Sequence, residues 1–138
     1  MRYLGLDLGS RTLGVSLSDK TGLIACSLKT IKHEEEYDRL VNDVVSLVNE
    51  FSVDAIVLGY PKNMNGTIGP KGELSENFKK SLENVLEIPV YLQDERLSTK
   101  SATDMLIQGN VSRKDRKKVV DSVAATIILQ TFLDGREK

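Results

Sequence analysis

Two consecutive segments near the start of the chain sort their residues by size with strict alternation. In Tyr3 to Leu8, the side chains of Leu4, Leu6 and Leu8 point one way, while Gly5, Asp7 and then Gly9 point the other. In Leu13 to Ser18, Leu13, Val15 and Leu17 alternate with Gly14, Ser16 and Ser18. Such a pattern demands two strands with one thickly apolar face and one face lined by glycine and serine. The second face leaves open space, and Asp7 points into it. A carboxylate in the middle of an apolar strand is costly unless it is hydrogen-bonded, paired or placed on a cation.

The remaining periodicities complete a mixed sheet. A turn at Ser18 to Gly22 leads into a third strand, Leu23 to Ile31, returning antiparallel. Tyr37, Leu40, Val41, Val44, Leu47, Val48 and Phe51 keep helical spacing within a helix from about Glu34 to Phe51. Asp54 to Gly59 carries Ala55-Ile56-Val57-Leu58, a run of the buried parallel type. Pro61 to Glu73 is a polar loop with glycines at 66, 69 and 72 and no apolar anchor, expected to be mobile without substrate. Ser75 to Leu86 is the second helix and Ile88 to Gln93 the fifth strand. Thr99 to Gln108 is a third helix ending at Gly109-Asn110, and the last helix runs from about Asp115 to Leu133. The fold class is therefore α/β: a mixed five-stranded sheet, three antiparallel strands followed by alternating helices and strands.

Composition narrows the chemistry. With 138 residues and 40% hydrophobic content the chain supports one core, hence a single domain spanning 1–138. Nineteen basic residues against 20 acidic give a net charge of -1, which excludes a wholly basic arm but not a local basic patch. One cysteine, Cys26, and one histidine, His33, argue against a disulfide framework and a zinc site. A Ser-His-Asp triad would have to use His33, set in the polar run Lys32-His33-Glu34-Glu35-Glu36. No run reaches the ~18 apolar residues a membrane span needs. With an acid as early as Asp7 there is no signal peptide, so the expected location is cytoplasmic.

Three places then hold candidate carboxylates. Asp7 is on the first strand. Asp94 and Glu95 follow the strand Ile88 to Gln93, at the carboxyl end where open α/β sheets build sites. Alternation puts these two on opposite sides, and periodicity does not say which faces Asp7. Asp121 lies in the last helix, and steps of three and four from it reach Ala124, Ala125 and Ile128, a small apolar face. Converging carboxylates without histidine suit hard, oxygen-loving cations, Mg²⁺ or Mn²⁺, and phosphodiester hydrolysis is the chemistry such ions support. Arg113, Lys114, Arg116, Lys117 and Lys118 lie one to two turns before Asp121, a candidate phosphate-backbone track that Arg11, Lys62 and Arg96 extend. The absence of tryptophan and an aromatic content of 5% disfavour base-stacking platforms.

Four segments carry a family resemblance: Gly5-Leu6-Asp7-Leu8-Gly9-Ser10-Arg11-Thr12-Leu13-Gly14-Val15, Val57-Leu58-Gly59-Tyr60-Pro61-Lys62-Asn63-Met64-Asn65-Gly66, Asp94-Glu95-Arg96-Leu97-Ser98-Thr99 and Asp121-Ser122-Val123-Ala124-Ala125. In this order they resemble the motifs of the YqgF-like (RuvX-like) family. The resemblance implies a ribonuclease H-like fold and a metal-dependent nuclease with acidic residues at Asp7, in the Asp94-Glu95 pair and at Asp121. Its Asp-Glu-Arg motif favours Glu95 over Asp94. The family's members are described as Holliday junction resolvases and as nucleases that process the 5′ end of pre-16S ribosomal RNA. The implied partners are therefore structured RNA or a DNA junction, with ribosomal precursor particles. Tyr60 departs from the more usual Gly-Leu-Pro, and the strand ending at Gly59 offers no carboxylate.

Two other classes compete. A nucleotide-binding module of the actin and sugar-kinase type shares a first loop reading Asp-x-Gly after a strand, but needs two domains where 138 residues supply one. A non-catalytic nucleic-acid-binding factor would keep the fold without turnover. A junction resolvase cuts two strands symmetrically and favours a two-fold dimer. No dimer interface is legible in the sequence.

Overall fold

The computed structural model describes residues 1–9, 11–61, 69–94 and 113–136, and for 113–122 and 136 the backbone alone. Five strands form one sheet: β1 (Tyr3–Leu8), β2 (Thr12–Ser18), β3 (Ala25–Lys32), β4 (Ala55–Tyr60) and β5 (Val90–Asp94). Three helices accompany them: α1 (Tyr37–Phe51), α2 (Pro70–Val85) and α3 (Arg113–Arg136). The strand order is β3-β2-β1-β4-β5. The first three strands form an antiparallel meander, with a register shift at Val15/Ser16, and β4 and β5 are parallel to β1. This is the mixed arrangement that the alternation in the sequence required.

The two faces of the sheet are covered by different helices. Leu4, Leu6, Leu13, Val15, Ile56 and Leu58 pack against Leu40, Val44 and Leu47 of α1 and Phe78 and Leu82 of α2. On the other face Tyr3, Ala55 and Val57 pack with Ile128, Leu129 and Leu133 of α3. Every residue of β4 is buried, as expected of a parallel strand sandwiched between helices. Each fully buried leucine or isoleucine here contributes roughly 1.5–3 kcal/mol of transfer free energy.

α3 approaches the sheet closely because the strands beneath it are built from small residues. A Cβ on Gly5 would collide with Ser16 Oγ and come within 2.8 Å of Leu129 Cβ and 3.0 Å of the Ala125 carbonyl oxygen. Gly5 therefore sets the helix-to-sheet distance. Ser16 Oγ donates to the Ala125 carbonyl at 2.8 Å in a buried setting. Gln130 locks the other side, accepting from the Ala25 amide at 2.9 Å and donating to the Leu23 carbonyl at 3.0 Å.

Several boundaries differ from the sequence reading. α1 begins at Tyr37 and not Glu34, because Glu35 takes a positive φ of 64° and Glu36 stands at the N-cap. α2 begins at Pro70 and not Ser75, so the last four positions of the expected loop, 70–73, are helical. Proline at the first helical position loses no hydrogen bond, and its fixed φ already suits the helix. Positions 62–68 of the loop expected to be mobile, Pro61 to Glu73, and the expected helix Thr99 to Gln108 lie outside the described residues. β3 starts at Ala25, two residues later than expected. There Asp19 accepts from the Leu23 and Ile24 amides and from Thr21, holding the hairpin turn closed.

Candidate active site

Asp7 occupies the second-to-last position of the central strand, on the face covered by α3. That side of the sheet is fixed by Tyr3 and Gly5, which share its alternation. Its cross-strand neighbour on β2 is Gly14. On β4 the position following the Leu6–Leu58 pair is Gly59. Asp7 is thus flanked by glycine on both sides, and both glycines are buried. Neither glycine puts a Cβ beside the carboxylate, so among the described residues the two flanking strands present only backbone there. This fits a hard cation taken by oxygen donors.

α3 runs antiparallel to β1. Tyr3 meets Phe132, with ring centroids 5.8 Å apart, and Gly5 lies under Leu129 and Ala125. Two residues further along the strand, about 6.6 Å, lead from Gly5 to Asp7. One helical turn back from Ala125, about 6 Å, leads to position 121, which α3 includes. The pairing therefore brings position 121 level with Asp7, while the Asp121 side chain lies outside the described residues.

Of the Asp94–Glu95 pair, the structure describes Asp94. β5 pairs with β4 through Val57–Tyr91, Leu58–Leu92 and Tyr60–Asp94. Tyr91 stacks on Phe132 of α3, with centroids 5.2 Å apart. Val90 and Leu92 belong to the core under α1 and α2. Asp94 continues the Val90–Leu92 side, so it lies on the face opposite Asp7. Glu95 lies outside the described residues, as do Arg96 and Lys62. Among the described residues no three acidic, histidine or cysteine side chains form a metal-binding group.

On the α1/α2 face, Tyr60 ends β4 beside Asp94. Tyr60 is buried, and its hydroxyl donates to a carboxylate oxygen of Glu76 on α2. That hydrogen bond, together with burial and the charge of Glu76, pushes the phenol up to about 12. The bond ties the end of β4 to α2 and spans the base of the intervening loop. The departure at Tyr60 thus has a structural partner that sequence spacing did not reveal.

The sequence reading also missed His33. Far from lying on a polar surface, it is 5% exposed. Its Nδ1 accepts from the Glu35 amide at 3.0 Å, so the ring proton sits on Nε2, which donates to the Gly9 carbonyl at 3.0 Å. Its own amide donates to the Arg11 carbonyl at 2.9 Å, and its ring lies 5.6 Å from that of Tyr37. The charged neighbours hide this role from periodicity. Arg11 is exposed and, with Lys32, His33 and Arg39, lines an open cavity of about 510 Å³ beside the β1–β2 turn. A second open cavity, of about 540 Å³, lies at the opposite ends of the strands near Arg2, Lys20 and Asp54, away from Asp7. Arg113, Lys114, Arg116, Lys117 and Lys118 occupy the first two turns of α3, their side chains outside the described residues.

Comparison with known proteins places this geometry in context. Residues 1–135 match the family model described as RuvX: Holliday junction resolvase. The chain is 53% identical over 136 residues, 98% of its length and 99% of the relative's, to a Bacillus subtilis protein named "Putative pre-16S rRNA nuclease". It is 54% identical over 136 residues, 98% of both chains, to a Bacillus licheniformis protein of the same name. Among solved structures it resembles Thermus thermophilus RuvC in complex with a Holliday junction substrate, with a TM-score of 0.62 at 17% identity, covering 99% of this chain and 96% of that one. At that identity the likeness shows a shared fold, the ribonuclease H-like arrangement expected from the motifs.

Proposed function

The chain belongs to the RuvX Holliday junction resolvase family, and on that premise we propose that it is a nuclease hydrolysing phosphodiester bonds in the 5′-end processing of pre-16S ribosomal RNA. The observation that carries this reading is Asp7, held on the central strand between two glycines and beneath the last helix. The near-complete mutual coverage with relatives named for that activity supports the choice of RNA. The same reading puts the protein in the cytoplasm, in contact with ribosomal precursor particles.

In this proposal Asp7, Glu95 and Asp121 hold divalent cations, Mg²⁺ or Mn²⁺. Glu95 is preferred because the family's Asp-Glu-Arg motif favours it, and Asp94 lies on the face opposite Asp7. Bound there, the metal supplies charge to the phosphoryl oxygens and lowers the pKa of an attacking water. The protein contributes the rest. The three carboxylates fix the charge and orientation of the cradle, and α3 keeps bulk water from its floor. Arg11, Lys62, Arg96 and the run from Arg113 to Lys118 neutralise backbone phosphates and position the strand.

A second reading, cleavage of a four-way DNA junction, is favoured by the family description and by the RuvC-like fold. One experiment separates them: matched pre-16S RNA and junction substrates incubated with pure protein in Mg²⁺ or Mn²⁺, with Asp7→Asn as control. Metal-dependent cleavage of the RNA that disappears in Asp7→Asn is the expected result. Cleavage of the junction alone would replace the substrate, and binding without cleavage of either would make the protein a non-catalytic factor.

A further inference from the structure

The chain's one histidine is buried where the proposed mechanism gives it no task, and both of its ring nitrogens are spent on backbone. Nε2 holds the Gly9 carbonyl, two residues beyond Asp7, and Nδ1 holds the Glu35 amide at the start of the turn into α1. Burying an imidazole costs free energy that only such paired bonds offset, and an apolar ring against Tyr37 would fill the space at lower cost. The turn that His33 grips is short. Leu8 pairs with Leu13, the Gly9 amide donates to the Thr12 carbonyl at 2.7 Å, and the Arg11 carbonyl receives the His33 amide. The strand bearing Asp7 is thus anchored just past its end to a residue from β3's side of the sheet.

We infer that His33 is a positioning residue: through the Gly9 carbonyl it fixes the turn after Asp7 and so sets how Asp7 meets its cation. The inference rests on the assignment of Asp7 to a metal-dependent nuclease site. Its physical basis is leverage. Releasing Gly9 frees the peptide two residues along the chain from the carboxylate, and a misplacement of ~1 Å in such a site costs about a hundredfold in rate. Substrate affinity, carried by cations spread over the surface, should scarcely change.

The test compares His33→Phe, His33→Gln and His33→Asn with wild type, by thermal melting, Mn²⁺ affinity in calorimetry, and single-turnover cleavage of pre-16S RNA. Phe keeps the packing on Tyr37 and loses both bonds. Gln supplies a donor near the Nε2 position, whereas Asn is too short to reach Gly9. The Phe and Asn variants should cleave about 10- to 100-fold more slowly, with KM within about twofold of wild type and Mn²⁺ bound about fivefold more weakly. Gln should recover to within about threefold of wild type in rate, although it lacks the Nδ1 acceptor and melts as low as Asn.

Cleavage that follows melting temperature across the three variants, or a Gln variant no better than Asn, overturns the inference. The Gln–Asn pair keeps the comparison decisive if Phe fails to fold. Should wild type bind Mn²⁺ but cut no nucleic acid, the nuclease reading falls. The Mn²⁺ affinities then decide for His33: the order Gln above Asn supports it and equality overturns it. Wild type that binds no Mn²⁺ overturns both.

Discussion

Ser16 of the second strand donates its hydroxyl to the carbonyl of Ala125 in the last helix, at 2.8 Å and fully buried, across 109 residues of sequence. A mid-helix carbonyl already serves the helix ladder, so this second bond fixes the helix's rotation and its axial position together. Replacing Ser16 with alanine should cost about 1 kcal/mol, and lower the melting temperature by roughly 3–5 °C. Gly5→Ala should cost more, about 1–3 kcal/mol or beyond, because its new methyl meets Ser16, Leu129 and the Ala125 carbonyl. A Gly5→Ala protein melting within a degree of wild type would show that α3 sits less tightly on the sheet than these distances require.

Asp7→Asn should abolish single-turnover cleavage, a loss on the order of a thousandfold, while leaving nucleic-acid binding close to wild type. The paired substitutions at the end of β5 should separate sharply. Glu95→Gln is expected to match Asp7→Asn, and Asp94→Asn to stay within about fivefold of wild type, since Asp94 lies on the α1/α2 face. Equal losses in the two would show that Asp94 also serves the metal site, against its place on the α1/α2 face.

Tyr60 gives a pH dependence whose sign is fixed. Its phenol is pushed up to about 12 by Glu76, so the folded state favours the protonated form. The stabilisation is fully present below the ordinary tyrosine value near 10 and is lost as pH rises through about 12. Urea unfolding of wild type and Tyr60→Phe should therefore differ by a constant amount up to about pH 9 and converge between 10 and 12. A difference independent of pH over that range would sink the Tyr60–Glu76 account.

Changing Lys114, Lys117 and Lys118 together to alanine should weaken substrate binding and flatten its salt dependence by roughly one unit for each phosphate no longer neutralised. Cleavage at saturating substrate should fall far less than in Asp7→Asn. An unchanged salt slope would mean that these lysines are a solvated helix surface, and would shift the backbone track to Arg11, Lys62 and Arg96.

The sequence told the strands apart because leucine and glycine alternate so cleanly in β1 and β2, and because Ala55 to Leu58 is apolar on both faces. It did not tell the two carboxylates of the Asp94-Glu95 pair apart. That Asp94 faces away from Asp7 follows from how β5 packs on β4 and α3, a tertiary relation that leaves no periodic trace, and Glu95 lies outside the described residues. His33 was hidden for another reason. Its neighbours Lys32, Glu34, Glu35 and Glu36 are all exposed, and a lone buried polar side chain among them satisfies its hydrogen bonds with backbone atoms that composition does not register. Pro70 was legible in principle as a helix start, but the glycines around it drew the boundary toward Ser75. The small Ala124 and Ala125 correctly marked the helix face that meets the sheet, and both are buried there.

The long reach between β1 and α3 has a temporal side. A ribosome adds about 5–20 residues per second, so Asp7 is synthesised roughly ten seconds ahead of position 121. Until then Gly5, Ser16, Ala55 and Val57 form an uncovered floor with no helix above it. A nascent chain in that state holds one carboxylate of the proposed three on an open, solvent-wetted sheet. On the proposed nuclease reading, assembly of the three carboxylates therefore waits for the last helix to dock on that floor.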